Sequence, residues 1–173
     1  MTGHAMDSLR RVQIFGGLSD TELISIANLC EIWRLVAGHV IFREGDFGNQ
    51  VFIIHEGSVQ VSIQTRDNAG KSTEAVINTL YAGQSFGELV LLDGATRSAT
   101  VTTAVPCVLL VIRERDFAAL CEANPRIGYR VMHHLACDLA YKLRSSNLLL
   151  RGNIRWRQNE LAGNRPSEVG SLS

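Results

Sequence analysis

The stretch "GQSFGELVLLDGATRSATV", Gly83 to Val101, holds Glu88 and Arg97 in a run that is otherwise small, apolar or weakly polar apart from Asp93. Gly87 precedes a short turn or helix, "ELVLL", whose first N–H groups have no acceptor inside a helix. Such a start binds a small anion, and a glycine lets that anion approach the backbone closely. Arg97 can close on the same anion with a two-pronged pair of hydrogen bonds. Glu88 would be repelled by the anion unless a hydroxyl stood between them. A carboxylate accepting from a sugar 2′-hydroxyl removes that conflict, so the ligand these residues describe carries one phosphate and a ribose. The plain alternative for Glu88 and Arg97 is an ion pair on the surface of a sheet.

These residues need strands on either side to hold them. "HVIFREG", "QVFIIHEGSVQVSIQ" and "TEAVINTLY" are short β-rich runs from Leu35 onward, punctuated by Gly45, Gly48, Gly57 and Gly70, and "RSATVTTAV" and "CVLLVIR" add two more. Short strands with glycine turns predict an antiparallel β-roll of the jelly-roll type, a double-stranded β-helix. Helices flank it, which makes the class α+β. "GLSDTEL" predicts an N-terminal helix with Ser19 as its cap, Glu22 reaching back and Leu18 stapled on Leu23. Its apolar face is Leu23, Ile26, Ala27 and Cys30. "ERDFAALCEA" predicts a short helix after Arg113, and Asn124 with Pro125 opens a long last one from Arg126 to Arg151, ending at Gly152. The division expected is a poorly ordered segment over 1–8, the domain over 9–151, and a polar, largely disordered tail over 152–173.

Composition narrows the class further. The chain has 173 residues, 46% of them apolar and 20% charged, with a formal net charge of zero. That suits one soluble domain with extensions, and nothing in the balance points to nucleic acid or membrane. Cys30, Cys107, Cys121 and Cys137 are scattered in apolar runs without a C-x-x-C pair. They read as reduced core residues of a cytoplasmic protein. His39 and His55 stand apart, and the neighbours His133 and His134 point in different directions on a helix, so no metal site is expected. No nucleophile, base or carboxylate constellation points to turnover, so the chain does not read as an enzyme.

"FGELVLLDGATRSATV" resembles the phosphate-binding cassette of cyclic nucleotide-binding domains, with the glycine, glutamate and arginine spaced as in the regulatory subunits of cyclic-AMP-dependent kinase. "IFGGLSDTELISIA" resembles the leading helix of that family, "VIFREGDFGNQVFIIHEGSVQV" its opening strands, and "RERDFAALCEANPRI" the passage into its C-terminal helices. The resemblance covers roughly Val12 to Arg151 and implies a non-catalytic sensor. It implies that Glu88 accepts the ribose 2′-hydroxyl, and that the amides of Gly87, Glu88 and Leu89 meet the cyclic phosphate. Arg97 would then pair with the exocyclic oxygens, with Ser98 adding its hydroxyl or amide before Ala99. Phe86, Ile77, Leu80 and Val90 would line the wall around ribose and base. Thr96 stands where many relatives have proline.

The resemblance favours cyclic AMP over cyclic GMP. Ser98 falls between the threonine that favours guanine and the alanine common in adenine sites. On the last helix, Val131, Leu135, Leu139, Leu143 and Leu150 form a stripe that suggests a homodimer. The family's lid over the base would come from Lys142, Arg144, Ser145 or Asn147. The residues after Arg151 are too few to fold as an appended DNA-binding domain, so output is expected through an unidentified protein effector. The competing expectation is a roll-shaped protein-interaction domain that has lost its ligand.

Overall fold

Two of the strand sequences differ in kind, and the difference decides where each strand sits. β3 (Gln50–Glu56) carries "VFII" and β8 (Cys107–Arg113) carries "CVLLVI", runs too continuous to leave one face in water. β4 (Ser58–Arg66), "SVQVSIQTR", alternates instead and can be wet on one side. In a computed structural model of the chain, residues 2–66, 70–93 and 96–163 are described, with backbone alone at 2–4, 93 and 145–163. The chain divides into two units, Met1–Leu135 and Ala136–Ser173.

The first unit is built on two four-stranded antiparallel sheets. One has the order β1 (Glu31–Leu35), β8, β3, β6 (Ser85–Phe86); the other has β2 (Val40–Phe42), β7 (Thr100–Thr103), β4, β5 (Ser72–Tyr81). Phe52 pairs with Val111 and Ile54 with Leu109 in the first sheet, and Val61 pairs with Val101 in the second. Phe52, Ile54, Val59, Phe86, Val101, Cys107, Leu109 and Val111 form one buried cluster between strands of both sheets. The intervening residues Val51, Ile53, Leu110 and Ile112 are buried as well, on the opposite side of the pleat. That side faces helices: α1 (Thr2–Arg11) packs on β3, and α4 (Glu114–Ala123) packs on β8. This is the α+β roll with flanking helices that the strand and turn pattern predicts.

α2 (Asp20–Ala27) has the expected start. The Ser19 amide donates to Glu22 Oε2 at 2.7 Å, and the Glu22 amide donates to Ser19 Oγ at 3.3 Å. The hydrogen bond from the Ser19 amide holds the Glu22 carboxyl below its ordinary range. Leu23 and Ile26 are buried as predicted, whereas Cys30 lies beyond the end of the helix. Removing the cap with Ser19→Ala should lower Tm by about 2–4 °C. Thermal unfolding followed by circular dichroism checks this, and an unchanged Tm would mean that the box adds nothing to the packing of α2.

Several boundaries differ from the expectation, each for a physical reason. Residues 2–8 fall in α1, where Met6, Ser8 and Leu9 are buried, and tertiary packing stabilises a helix too short to stand alone. Ser8 Oγ lies 2.7 Å from His55 Nδ1 on β3. β1 begins at Glu31, before the expected change of period at Leu35, and β6 has only two residues. Both are held by pairing with β8 and β3 rather than by a pattern of their own. α5 (Pro125–Gly163) continues through Gly152 to Gly163. One glycine lowers helix stability by roughly 1 kcal/mol without forbidding the helix. The cysteines divide: Cys107 is buried, Cys30 and Cys121 half-buried, and Cys137 exposed rather than in the core. Burial pushes the Cys30 thiol up to about 12, which keeps it protonated and inert.

In the second unit, α5 carries the ion pair Lys142 Nζ–Asp138 Oδ2 at 2.7 Å, and it exposes Tyr141 and Leu143. The side chains of Ser145, Asn147 and Leu150, named above for the lid and the stripe, lie outside the described residues. Among the described residues, no helix is long and apolar enough to cross a membrane.

Candidate functional site

β6 delivers Phe86 into the core, where its ring stacks on Phe52 with centroids 5.0 Å apart. The chain turns immediately afterwards at Gly87, with φ of +72°. A side chain is barred there twice. The left-handed backbone disfavours it, and a Cβ would lie 2.6 Å from Arg97 Nη1. The turn opens α3 (Val90–Asp93), whose first bonds run from the amides of Leu91 and Leu92 to the carbonyls of Glu88 and Leu89 at 3.0 and 2.9 Å. The amides ahead of them, from Gly87 onward, precede the first bond of this turn, which is the local arrangement that accepts an anion.

Arg97 is positioned by a different loop, that between β2 and β3. The Gly45 amide donates to Arg97 O, the Arg97 amide donates to Asp46 O, both at 2.8 Å, and Phe47 bridges Thr96. Asp46 stiffens this loop by accepting from the Arg43 amide at 2.8 Å. The Arg97 side chain then turns inward. Nη1 donates to the Gly87 carbonyl at 3.1 Å, and Nη2 donates to the Gln50 carbonyl at 2.9 Å. Its Cζ lies 4.2 Å above the Phe42 ring centroid and 5.7 Å from that of Phe52. Arg97 is only 7% exposed, and among the described residues its Nε is the buried side-chain nitrogen or oxygen without a hydrogen-bond partner. Burial pulls the guanidinium pKa down, and the charges of Asp46 and Glu88 push it back up. An arginine nevertheless keeps its charge inside a protein.

The residues singled out in the sequence separate into three groups. Gly87 and Arg97 are in contact and the Glu88 charge acts on Arg97; Phe86, Glu88, Val90, Arg97 and Ala99 are buried and Gly87 is half-buried. With Glu88 9% and Arg97 7% exposed, the surface ion pair is excluded. Leu89 is half-buried, and Leu80 packs against the core cluster. Ser98 points to solvent, and Ile77 on β5 is 57% exposed. Ile77 thus lies outside the buried core, on the edge strand β5, where the irregularity between Val61 and Ser62 shifts the register with β4.

Sequence reasoning missed four contributors: Phe42, Asp46, Gly48 and the carbonyl of Gln50. Gly48 and Gln50 act through an absent atom and a backbone carbonyl, which leave no mark on residue type. The two glycines three apart in "GDFG" were the available signal, and they read only as turn punctuation. Among the described residues, no group of three or more His, Cys, Asp or Glu could hold a metal ion.

Comparison with known proteins follows the same lines. The family model for the cyclic nucleotide-binding domain matches residues 32–124, from β1 to the end of α4. A cyclic nucleotide-gated potassium channel of Mesorhizobium japonicum is 34% identical over 117 residues, which is 68% of this chain and 30% of the channel. This chain therefore spans less than a third of that relative's length. The catabolite activator protein of Thermus thermophilus superimposes with a TM-score of 0.68 at 29% identity, over 80% of this chain and 62% of that one. The regulatory domain of Toxoplasma gondii PKA, solved with cAMP, gives 0.61 at 28% identity, over 68% of this chain and 43% of that one.

Proposed function

This chain belongs to the cyclic nucleotide-binding domain family, and on that premise we propose that it is a non-catalytic cyclic AMP sensor. The observation that carries the reading is Arg97: a guanidinium taken out of water, with Nε unpaired, beside the Gly87 turn. A buried charge is costly unless an opposite charge and hydrogen bonds meet it, and a phosphate supplies both. In this reading the amides of the Gly87–Leu89 turn and the remaining N–H groups of Arg97 hold the cyclic phosphate. Glu88 accepts the ribose 2′-hydroxyl. Phe86, Val90 and Leu80 provide the apolar wall, and Ser98 lies at the solvent edge of the site.

The preference for the adenine base is supported by the likeness of the cassette to cyclic-AMP-dependent regulatory subunits and by the PKA regulatory domain solved with cAMP. Binding transmits a signal only as far as the nucleotide prefers one arrangement of the following helices over another. The output passes to an effector protein or to a second copy of this chain. The test is a calorimetric titration of nucleotide-stripped protein with cyclic AMP and cyclic GMP, with sedimentation velocity at saturation. Micromolar or tighter binding of cyclic AMP, weaker binding of cyclic GMP and a change in mass or shape are expected. Absence of both heat and thermal shift with either nucleotide would overturn the reading and leave the roll as an interaction domain.

A further inference from the structure

We propose that Gly48 is a positioning residue for the anion site, its missing side chain being the room in which the Arg97 guanidinium is seated. The glycines with left-handed φ do not include Gly48, so its backbone is open to any residue. What the position cannot carry is a Cβ. One built there would overlap Nε, Cζ and Nη2 of Arg97. These three atoms move as one plane, so clearing a Cβ takes the whole guanidinium off the Gly87 and Gln50 carbonyls and the Phe42 ring that hold it.

Other groups fix the guanidinium from further sides. The Phe42 ring is 4.2 Å away, the Gln50 and Gly87 carbonyls hold Nη2 and Nη1, and Gly87 tolerates no Cβ of its own. Two glycines, two carbonyls and a ring thus define where the charge sits. Gly45, three residues earlier, is the opposite case: its φ is +84°, and nothing lies within 4 Å of a Cβ built there. One glycine of this loop serves the turn and the other serves the arginine.

The binding consequence rests on the reading of the site as a cyclic nucleotide pocket; the seat itself does not. The experiment is a double-mutant cycle on the full chain. Wild type, Gly48→Val, Arg97→Ala and the double variant are compared for Tm and for cyclic AMP affinity. Gly48→Val should lower Tm and weaken cyclic AMP by at least about 30-fold, as removal of a buried charged partner does. In the Arg97→Ala background the slot is empty, so Gly48→Val should cost little further in either measurement. Gly45→Ala, a control for backbone strain, should lower Tm equally in both backgrounds.

An equal Tm loss from Gly48→Val in both backgrounds would overturn the proposal, as would wild-type affinity in the single variant. Should Gly48→Val not fold, Gly48→Ala makes the same comparison. If the wild type binds no nucleotide, the ligand reading fails, while the Tm cycle still decides whether Gly48 seats Arg97.

Discussion

Arg97→Ala is expected to weaken cyclic AMP binding by about 30- to 1000-fold, or roughly 2–4 kcal/mol. The size follows from where the guanidinium sits. At 7% exposure, water cannot replace it, and the phosphate would enter a site that has lost its buried cation. A surface arginine would be worth far less, because an exposed pair contributes about 0–1 kcal/mol. The same substitution should also lower Tm, since Nη1 and Nη2 tie Gly87 on the cassette to Gln50 on β3. Arg97→Lys keeps the charge but cannot serve two carbonyls and a phosphate from one planar fork, so it should recover little. Calorimetry and thermal unfolding on the three proteins decide the matter. An Arg97→Ala protein that binds cyclic AMP as the wild type does would remove Arg97 from the site.

Phe52→Ala should destabilise the fold by about 3–5 kcal/mol, the largest loss expected from truncating any one ring of the aromatic cluster. Phe52 is 2% exposed, stacks on Phe86 at 5.0 Å, and meets Trp33 and Phe42 at 5.7 Å each. Truncation removes an aromatic stack and leaves a cavity between rings that cannot all close in. It also removes one of the two rings near the Arg97 guanidinium. Urea unfolding should show a lower midpoint with an unchanged slope. Ile77→Ala, at 57% exposure, should stay within about 0.5 kcal/mol of the wild type. A Phe52→Ala loss no larger than that of Ile77→Ala would mean that the aromatic cluster is not what holds the two sheets together.

Much of this architecture is local enough to read along the chain. The continuous runs of β3 and β8 require burial on both faces, and the alternation of β4 permits one wet face. Ser19 and Glu22 cap a helix through bonds three residues apart. Gly87, Glu88 and Arg97 stand close enough in sequence for a shared site to be proposed from them together. These features depend on period, on turn geometry or on neighbours close along the chain, so residue type alone carries them.

Tertiary structure decided the rest, because the deciding contacts join residues far apart. The partner of Arg97 Nη2 is a carbonyl 47 residues away, and every residue type offers a carbonyl. The need for glycine at 48 comes from a side chain on another loop and not from its own φ. β1 and β6 exist through the strands they pair with, and α1 through its packing on β3. Ile77 carries a core residue's side chain, yet its place on an edge strand leaves it in solvent. Local pattern determined which residues could make the site; the packing of distant segments determined which of them are brought together and what holds the arginine among them.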